Sequence, residues 1–100
     1  EDASPLVSAQ RELLEETGYG NGTWREFMQI SPNPGTHTNI TYCFLATDVE
    51  KISEQHLEDT ESLSVHLLTL TEVKELLEKG EIKQALMAAP LWKYIAEKGL

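Results

Sequence analysis

Three glutamates near the start of the chain are spaced so that they could bind a cation together. Glu12, Glu15 and Glu16 lie in the segment RELLEETGY, residues 11–19. On a helix, Glu12 and Glu16 are one turn apart and Glu15 lies beside them, so all three carboxylates share one face. Each like-charge pair at this spacing costs about 0.2–0.5 kcal/mol. Gly18 predicts the end of the helix, which would place two of these anions at the negative end of the helix dipole.

Two interpretations of this acidic cluster follow from the spacing. In the first, a divalent cation offsets the repulsion, because hard carboxylate oxygens suit Mg²⁺ or Mn²⁺. Arg11 can pair with Glu15 four residues later, but a single arginine offsets only part of the repulsion. In the second, the cluster is a solvated acidic helix face, and Gly18 is an ordinary C-cap. The spacing by itself does not choose between them.

The composition excludes several classes of partner. The 100 residues include 8 Lys and Arg against 17 Asp and Glu, for a net charge of −9. Such a charge argues against binding to nucleic acid or to an anionic membrane surface, since both need basic residues. No apolar run approaches the roughly 18 residues of a membrane-spanning helix. The single cysteine, Cys43, excludes an internal disulfide and suits a reducing cytoplasm.

The elements that must position the cluster follow an α/β order within one domain, residues 1–100. Ser4 and Pro5 predict the start of a helix that ends at Gly18. Three strands are then predicted, at residues 24–30, 38–47 and 64–68. Thr69 and Glu72 form a capping-box pattern that opens a helix ending at Gly80. Residues 81–98 have helical composition, and Pro90 predicts a kink or break near Ala89.

Residues 11–19 resemble the second half of the Nudix box, whose full pattern is G-x5-E-x7-R-E-U-x-E-E-x-G-U with U apolar. Seven matching residues carry the resemblance: Arg11, Glu12, Leu13, Glu15, Glu16, Gly18 and Tyr19. The stretch SPNPGTHTNITYCFLATDV, residues 31–49, is similar to the loop and core strand that follow the box. Residues 61–65 and the helix after them resemble the segment that returns a later acidic residue to the site.

This resemblance implies an α/β/α sandwich with a mixed sheet, and a hydrolase. The implied substrate is a nucleoside diphosphate linked to another moiety, of the ADP-ribose or nucleotide-sugar type, with Mg²⁺ or Mn²⁺ as cofactor. Glu12, Glu15 and Glu16 would be the metal ligands. Glu12 and Glu61 would be catalytic, with Glu61 acting either as a ligand or as the base that activates water.

Further implied roles concern residues around the cluster. Arg11 would orient it by a salt bridge, and Asn33 and His37 in the loop after the box would contact the non-phosphate half of the substrate. The pattern also departs from the family, because the first glutamate of the box would fall at Ala3. Glu1 would serve only with two extra residues in the spacer.

The opening glycine of the box and the strands before it are not in this sequence. The chain therefore resembles the C-terminal part of a Nudix domain whose N-terminal strands are missing. The apolar sheet edge left open predicts a homodimer. The alternative to an enzyme is a non-catalytic Nudix-like remnant that acts as a self-associating binding module.

Overall fold

The computed structural model describes residues 4–32, 35 and 39–100, which form three helices and four strands. The chain divides into two compact units, Glu1–Phe27 with Phe44–Val65, and Met28–Cys43 with His66–Leu100. The elements in chain order are α1 (Pro5–Thr17), β1 (Tyr19–Gly20), β2 (Thr23–Ile30), β3 (Thr41–Thr47), β4 (Glu50–Lys51), α2 (Leu70–Glu78) and α3 (Ala85–Glu97).

Local signals at both ends set the limits of α1. The hydroxyl of Ser4 accepts a hydrogen bond from the Val7 amide over 3.2 Å, and Pro5 occupies the first turn. Both features satisfy or remove amide groups that would otherwise lack partners at a helix N-terminus. Gly18 ends the helix with a φ of 83°, and its amide donates to the Leu14 carbonyl oxygen over 2.8 Å. The predicted helix is confirmed at both ends.

In the first unit, two very short strands follow α1 and pair with each other. β1 and β4 are antiparallel, with Tyr19 opposite Lys51 and Gly20 opposite Glu50. The longer strands β2 and β3 form the other two-stranded sheet, and each of them has residues in both units. Phe27 is the buried apolar side chain of this unit among the described residues, at 8% exposure. The apolar core among the described residues of this unit is therefore small.

In the second unit, α2 and α3 contact each other. The capping box of α2 is present: the Thr69 hydroxyl accepts from the Glu72 amide over 3.1 Å, and a Glu72 carboxylate oxygen accepts from the Thr69 amide over 2.8 Å. Leu77 and Ile95 are buried, at 6% and 2% exposure. A kink or a break was predicted near Ala89, and the break does not occur, because the helix α3 runs without interruption through Pro90.

The α/β class predicted from the sequence is confirmed, but one predicted strand was wrong. Residues 64–68 form neither a strand nor a helix. The alternation of Leu63, Val65 and Leu67 is typical of a strand, but a strand also needs a hydrogen-bonded neighbour. Within the described part of the chain, no strand pairs with this segment. None of the described helices has the length and apolar character needed to cross a membrane.

Candidate functional site: the acidic end of the first helix

The three glutamates predicted to share a face are at the C-terminal half of α1. Glu12 is exposed, and Glu15 and Glu16 are half-buried. All three belong to one regular helix that ends at Thr17. No acidic residue lies in the first turn of α1 and no basic residue lies in its last turn. The helix therefore carries its negative charge at the end where its dipole disfavours anions.

Glu61 reaches this cluster from a distant part of the chain. Partial burial raises the pKa of Glu16, and the negative charges of Glu12, Glu61 and Glu15 raise it further, in that order. Glu61 is thus one of the three carboxylates whose charge acts on Glu16. The tertiary structure brings a fourth carboxylate within electrostatic range of the three on α1. We name these four carboxylates, Glu12, Glu15, Glu16 and Glu61, the acidic site.

The basic partner of the acidic site is Arg11. A guanidinium nitrogen of Arg11 lies 3.5 Å from a carboxylate oxygen of Glu15, four residues later on α1. The two side chains are 57% and 45% exposed, so solvent screens the pair. An exposed pair of this kind contributes only about 0.3–0.5 kcal/mol. Arg11 therefore offsets part of the charge at Glu15, and its orienting role stays a prediction.

The segment after β4 is hydrogen-bonded to the end of α1. The amides of Ile52 and Ser53 donate to the Gly18 carbonyl oxygen over 2.8 and 3.1 Å, and the His56 amide donates to the Glu15 carbonyl oxygen over 2.7 Å. The last carbonyls of a helix have no partners within the helix, so these bonds satisfy groups that would otherwise need water. They also fix the path of the chain that leads to Glu61.

Gly18 makes this close approach possible. Its φ of 83° is in the left-handed region, and a Cβ added there would overlap the carbonyl oxygen of Ser53 and approach Cε of Lys51 to 2.7 Å. Glycine is the residue that adopts this conformation without steric cost. Gly18 thus ends the helix, and its lack of a Cβ allows the segment that leads to Glu61 to pack closely against it.

A cavity of about 430 Å³ lies on a different face of α1, lined by nine residues: Val7, Gln10, Arg11, Leu14, Gly20, Asn21, Gly22, Trp24 and Ile52. None of the carboxylates of the acidic site lines it. Arg11 both lines the cavity and contacts Glu15. The cavity and the acidic site are therefore separate, and the diphosphate site at the carboxylates stays a prediction.

The donor atoms of the acidic site suit a hard divalent cation. Within residues 4–32, 35 and 39–100, no three His, Cys, Asp or Glu side chains form a group arranged to hold a metal ion. Mg²⁺ commonly takes one or two carboxylates and completes its shell with water and substrate phosphates, so a preformed group of three is not required. Glu16, whose ionised form is disfavoured by its acidic neighbours, would gain from a nearby cation. The ligand roles of Glu12, Glu15 and Glu16 stay predictions.

Four residues named in the sequence analysis cannot be placed in the structure, and one residue that contacts the end of α1 was missed. Glu1, Ala3, Asn33 and His37, which the sequence analysis considered, lie outside the described residues. Gln55, whose side chain donates to the Glu16 carbonyl oxygen at the end of α1, has no role in the sequence analysis. An isolated glutamine in a loop has no periodic or spacing signal, so no pattern in the sequence could have indicated it.

Because the pKa of Glu16 is raised, replacing this glutamate with glutamine should stabilise the protein at neutral pH but not at acidic pH. A carboxyl whose pKa is higher in the folded state binds protons more readily there, so stability falls as the pH rises through the interval above its ordinary pKa. In metal-free buffer at pH 7, Glu16→Gln should raise the free energy of unfolding by about 0.5 kcal/mol. The gain should disappear below about pH 4, where the carboxyl is protonated in both states.

Urea unfolding at several pH values, with EDTA present, measures this difference. Glu81→Gln, at an exposed glutamate between α2 and α3, is the matched control and should change stability little at any pH. A gain of the same size at pH 4 and pH 7 would show that charge repulsion at Glu16 is not its cause.

Comparison with known proteins shows the family of this chain. The family model of the NUDIX domain matches residues 1–89. A GDP-mannose pyrophosphatase of Enterobacter sp. (strain 638) is 27% identical over 99 residues, which cover 97% of this chain and 51% of that protein. Proteins of the same name are 28% identical in Klebsiella pneumoniae, over 96% of this chain and 49% of the relative, and 31% identical in Salmonella arizonae, over 79% and 42%. The chain spans about half the length of these curated relatives. A match over most of its residues means that the chain belongs to the NUDIX family.

Proposed function

We propose that this protein hydrolyses the diphosphate linkage of a nucleotide sugar, with a divalent cation, Mg²⁺ or Mn²⁺, at the acidic site. Membership of the NUDIX family supports the reaction class, and the relatives named GDP-mannose pyrophosphatase support the substrate class. The observation that supports the proposal most directly is that Glu61 is within electrostatic range of Glu16, on a segment that is hydrogen-bonded to the end of α1. GDP-mannose and ADP-ribose are the substrates to test first.

The acidic site has two roles in this proposal: the carboxylates on α1 bind the cation, and Glu61 accepts a proton. Glu12 and Glu16 are the principal ligands of the cation, and Glu15, which Arg11 holds, is the auxiliary one. When bound, the cation would neutralise negative charge on the diphosphate oxygens as the reaction proceeds. A net charge of −9 repels a bare diphosphate, so substrate binding should depend steeply on the cation.

Glu61 is the base in this proposal. Water attacks one phosphorus of the diphosphate, and Glu61 accepts the proton that the water loses. A new P–O bond forms to the water oxygen, and the P–O bond to the bridging oxygen breaks. The products are a nucleoside monophosphate and a phosphorylated sugar. The Glu61 carboxylate is exposed, as a group that must meet a water molecule and a substrate requires.

The cellular setting is part of the proposal, and we place the reaction in the cytoplasm. The chain has one cysteine, so it relies on no internal disulfide. Cys43 is half-buried, and burial raises the pKa of its thiol. A less ionised thiol is a weaker nucleophile, which favours a structural over a catalytic role for this cysteine.

A hydrolysis assay tests the proposed function. The natural protein at full length should release GMP from GDP-mannose, or AMP from ADP-ribose, with Mg²⁺ or Mn²⁺ present and not with EDTA. Chromatography of the nucleotide products measures the reaction. Failure to release a monophosphate from a broad panel of nucleotide sugars, with either metal over a range of concentrations, would refute the proposal.

Exposed apolar side chains support the second candidate, a self-associating binding module. Leu63 and Val65 of the first unit are 46% and 43% exposed, in a segment that forms no strand. Exposed apolar side chains along an extended segment are typical of a surface that another chain covers. Light scattering that finds a homodimer, together with no hydrolysis, would favour this candidate. If the protein hydrolyses a nucleotide sugar, the binding-module candidate is rejected. A homodimer would then describe only how the enzyme assembles.

A further inference from the structure

The turn that carries Glu61 is stabilised within itself. The Glu61 amide donates to the Glu58 carbonyl oxygen over 2.9 Å, and the Glu58 amide donates to a Glu61 carboxylate oxygen over 2.7 Å. These two bonds orient the carboxylate relative to its own turn. They do not connect the turn to α1, so another contact must set the position of the turn beside the helix.

A single side chain makes such a connection. The amide nitrogen of Gln55 donates to the Glu16 carbonyl oxygen over 2.8 Å and to the Leu63 carbonyl oxygen over 3.3 Å. A primary amide has two hydrogens, so it can serve both acceptors at once. One acceptor belongs to the last turn of α1, and the other lies two residues after Glu61. Gln55 therefore connects α1, which carries three of the carboxylates, to the loop segment that carries Glu61.

Among the described residues, the backbone bonds from this segment to the end of α1 all come before the turn of Glu61. Ile52 and His56 attach the start of the segment to the end of α1, over 2.8 and 2.7 Å. These bonds precede the turn at residues 58–61. After that turn, Leu63 is attached to the helix through Gln55, which donates to both the Leu63 and the Glu16 carbonyl oxygens. With both sides of the turn attached, its carboxylate can move less relative to Glu16.

We propose that Gln55 is a positioning residue that holds the turn of Glu61 against the end of α1. Its catalytic consequence rests on the proposed function, whereas its structural consequence does not. Gln55→Met keeps the length of the side chain and removes both donors. Gln55→Glu replaces the donor with a carboxylate that faces two carbonyl oxygens and adds charge beside the acidic site, so it should be the more damaging of the two.

Amide hydrogen exchange in metal-free protein tests the structural consequence. In Gln55→Met, the amides of Glu58 and Glu61 should exchange about fivefold faster, because the turn opens locally. The Ile52 amide, attached before the turn, should change less than about twofold. Gln84→Met is the matched control, since the Gln84 side chain makes no capping hydrogen bond at α3. Unchanged exchange at Glu58 and Glu61, or equal acceleration at Ile52, would overturn the proposal.

A double-mutant cycle in the hydrolysis assay tests the catalytic consequence. Gln55→Met should lower kcat about tenfold with little change in KM, because a small displacement of a catalytic group is costly. Added to Glu61→Gln, it should lower kcat less than about twofold further, since it acts through Glu61. Additive losses would reject positioning through Glu61. If the wild-type protein hydrolyses nothing, the proposed function fails, and the exchange experiment still decides whether Gln55 holds the turn.

Discussion

Glu12→Gln should lower kcat/KM for the nucleotide sugar at least about a hundredfold, without loss of stability. Among the three carboxylates whose charge raises the pKa of Glu16, Glu12 has the strongest effect. We therefore expect Glu12 and Glu16 to bind the cation together. Replacing one of them removes a negative charge from the place where we propose that the cation binds. Steady-state kinetics with Mg²⁺ and with Mn²⁺ measures the loss.

The stability of the same variant distinguishes a lost site from a lost fold. Glutamine and glutamate have similar helix propensities, and Glu12 is exposed, so the melting temperature should stay the same or rise slightly. Glu81→Gln, which removes one exposed carboxylate from the second unit, should keep full activity. Wild-type kinetics in Glu12→Gln would remove this residue from the site. A large drop in melting temperature would instead assign it a structural role.

Gly18→Ala should destabilise the protein by about 3 kcal/mol or more. Two costs add at this position. A residue with a Cβ is strained at a φ of 83°, and the Cβ would also overlap the carbonyl oxygen of Ser53. That oxygen belongs to the backbone, so relief requires the segment at residues 51–53 to move away from α1. Small domains are only marginally stable, so this loss could leave much of the protein unfolded at 37 °C.

Gly80→Ala is the control that separates the two costs. Gly80 has a similar φ of 74°, and a Cβ there would meet nothing within 4 Å. This variant should cost only the backbone strain, about 1 kcal/mol. Urea unfolding monitored by circular dichroism gives both values. Equal losses at the two positions would mean that the contact with Ser53 contributes nothing to the preference for glycine at position 18.

The sequence was most informative where structure depends on nearby residues. Ser4, Pro5 and Gly18 predicted both ends of α1, and Thr69 with Glu72 predicted the start of α2. These signals act over at most four residues, because a helix cap bonds to backbone groups in the adjacent turn. The shared face of Glu12, Glu15 and Glu16 follows from the helical repeat alone.

The sequence was least informative about strands that depend on pairing. β1 and β4 have two residues each, which is too short to show an alternating pattern, and they exist because Tyr19 and Gly20 meet Lys51 and Glu50. The alternation at residues 63–67 was clear, yet no strand formed there. A strand is stable only when a second strand supplies its hydrogen bonds, and a local pattern cannot show whether that neighbour is present.

The sequence alone therefore determined the family, the class of fold and the helix that presents three carboxylates. The resemblance predicted a role for Glu61, but only the tertiary structure showed that it is within electrostatic range of Glu16. Only the tertiary structure decided that Gln55 bonds to both the helix and the segment after the turn. The physical reason is the range of the interactions. Caps and helical spacing act within one or two turns. The acidic site instead forms only when the chain closes a loop of about 45 residues, from Glu16 to Glu61, and backbone bonds hold that loop closed.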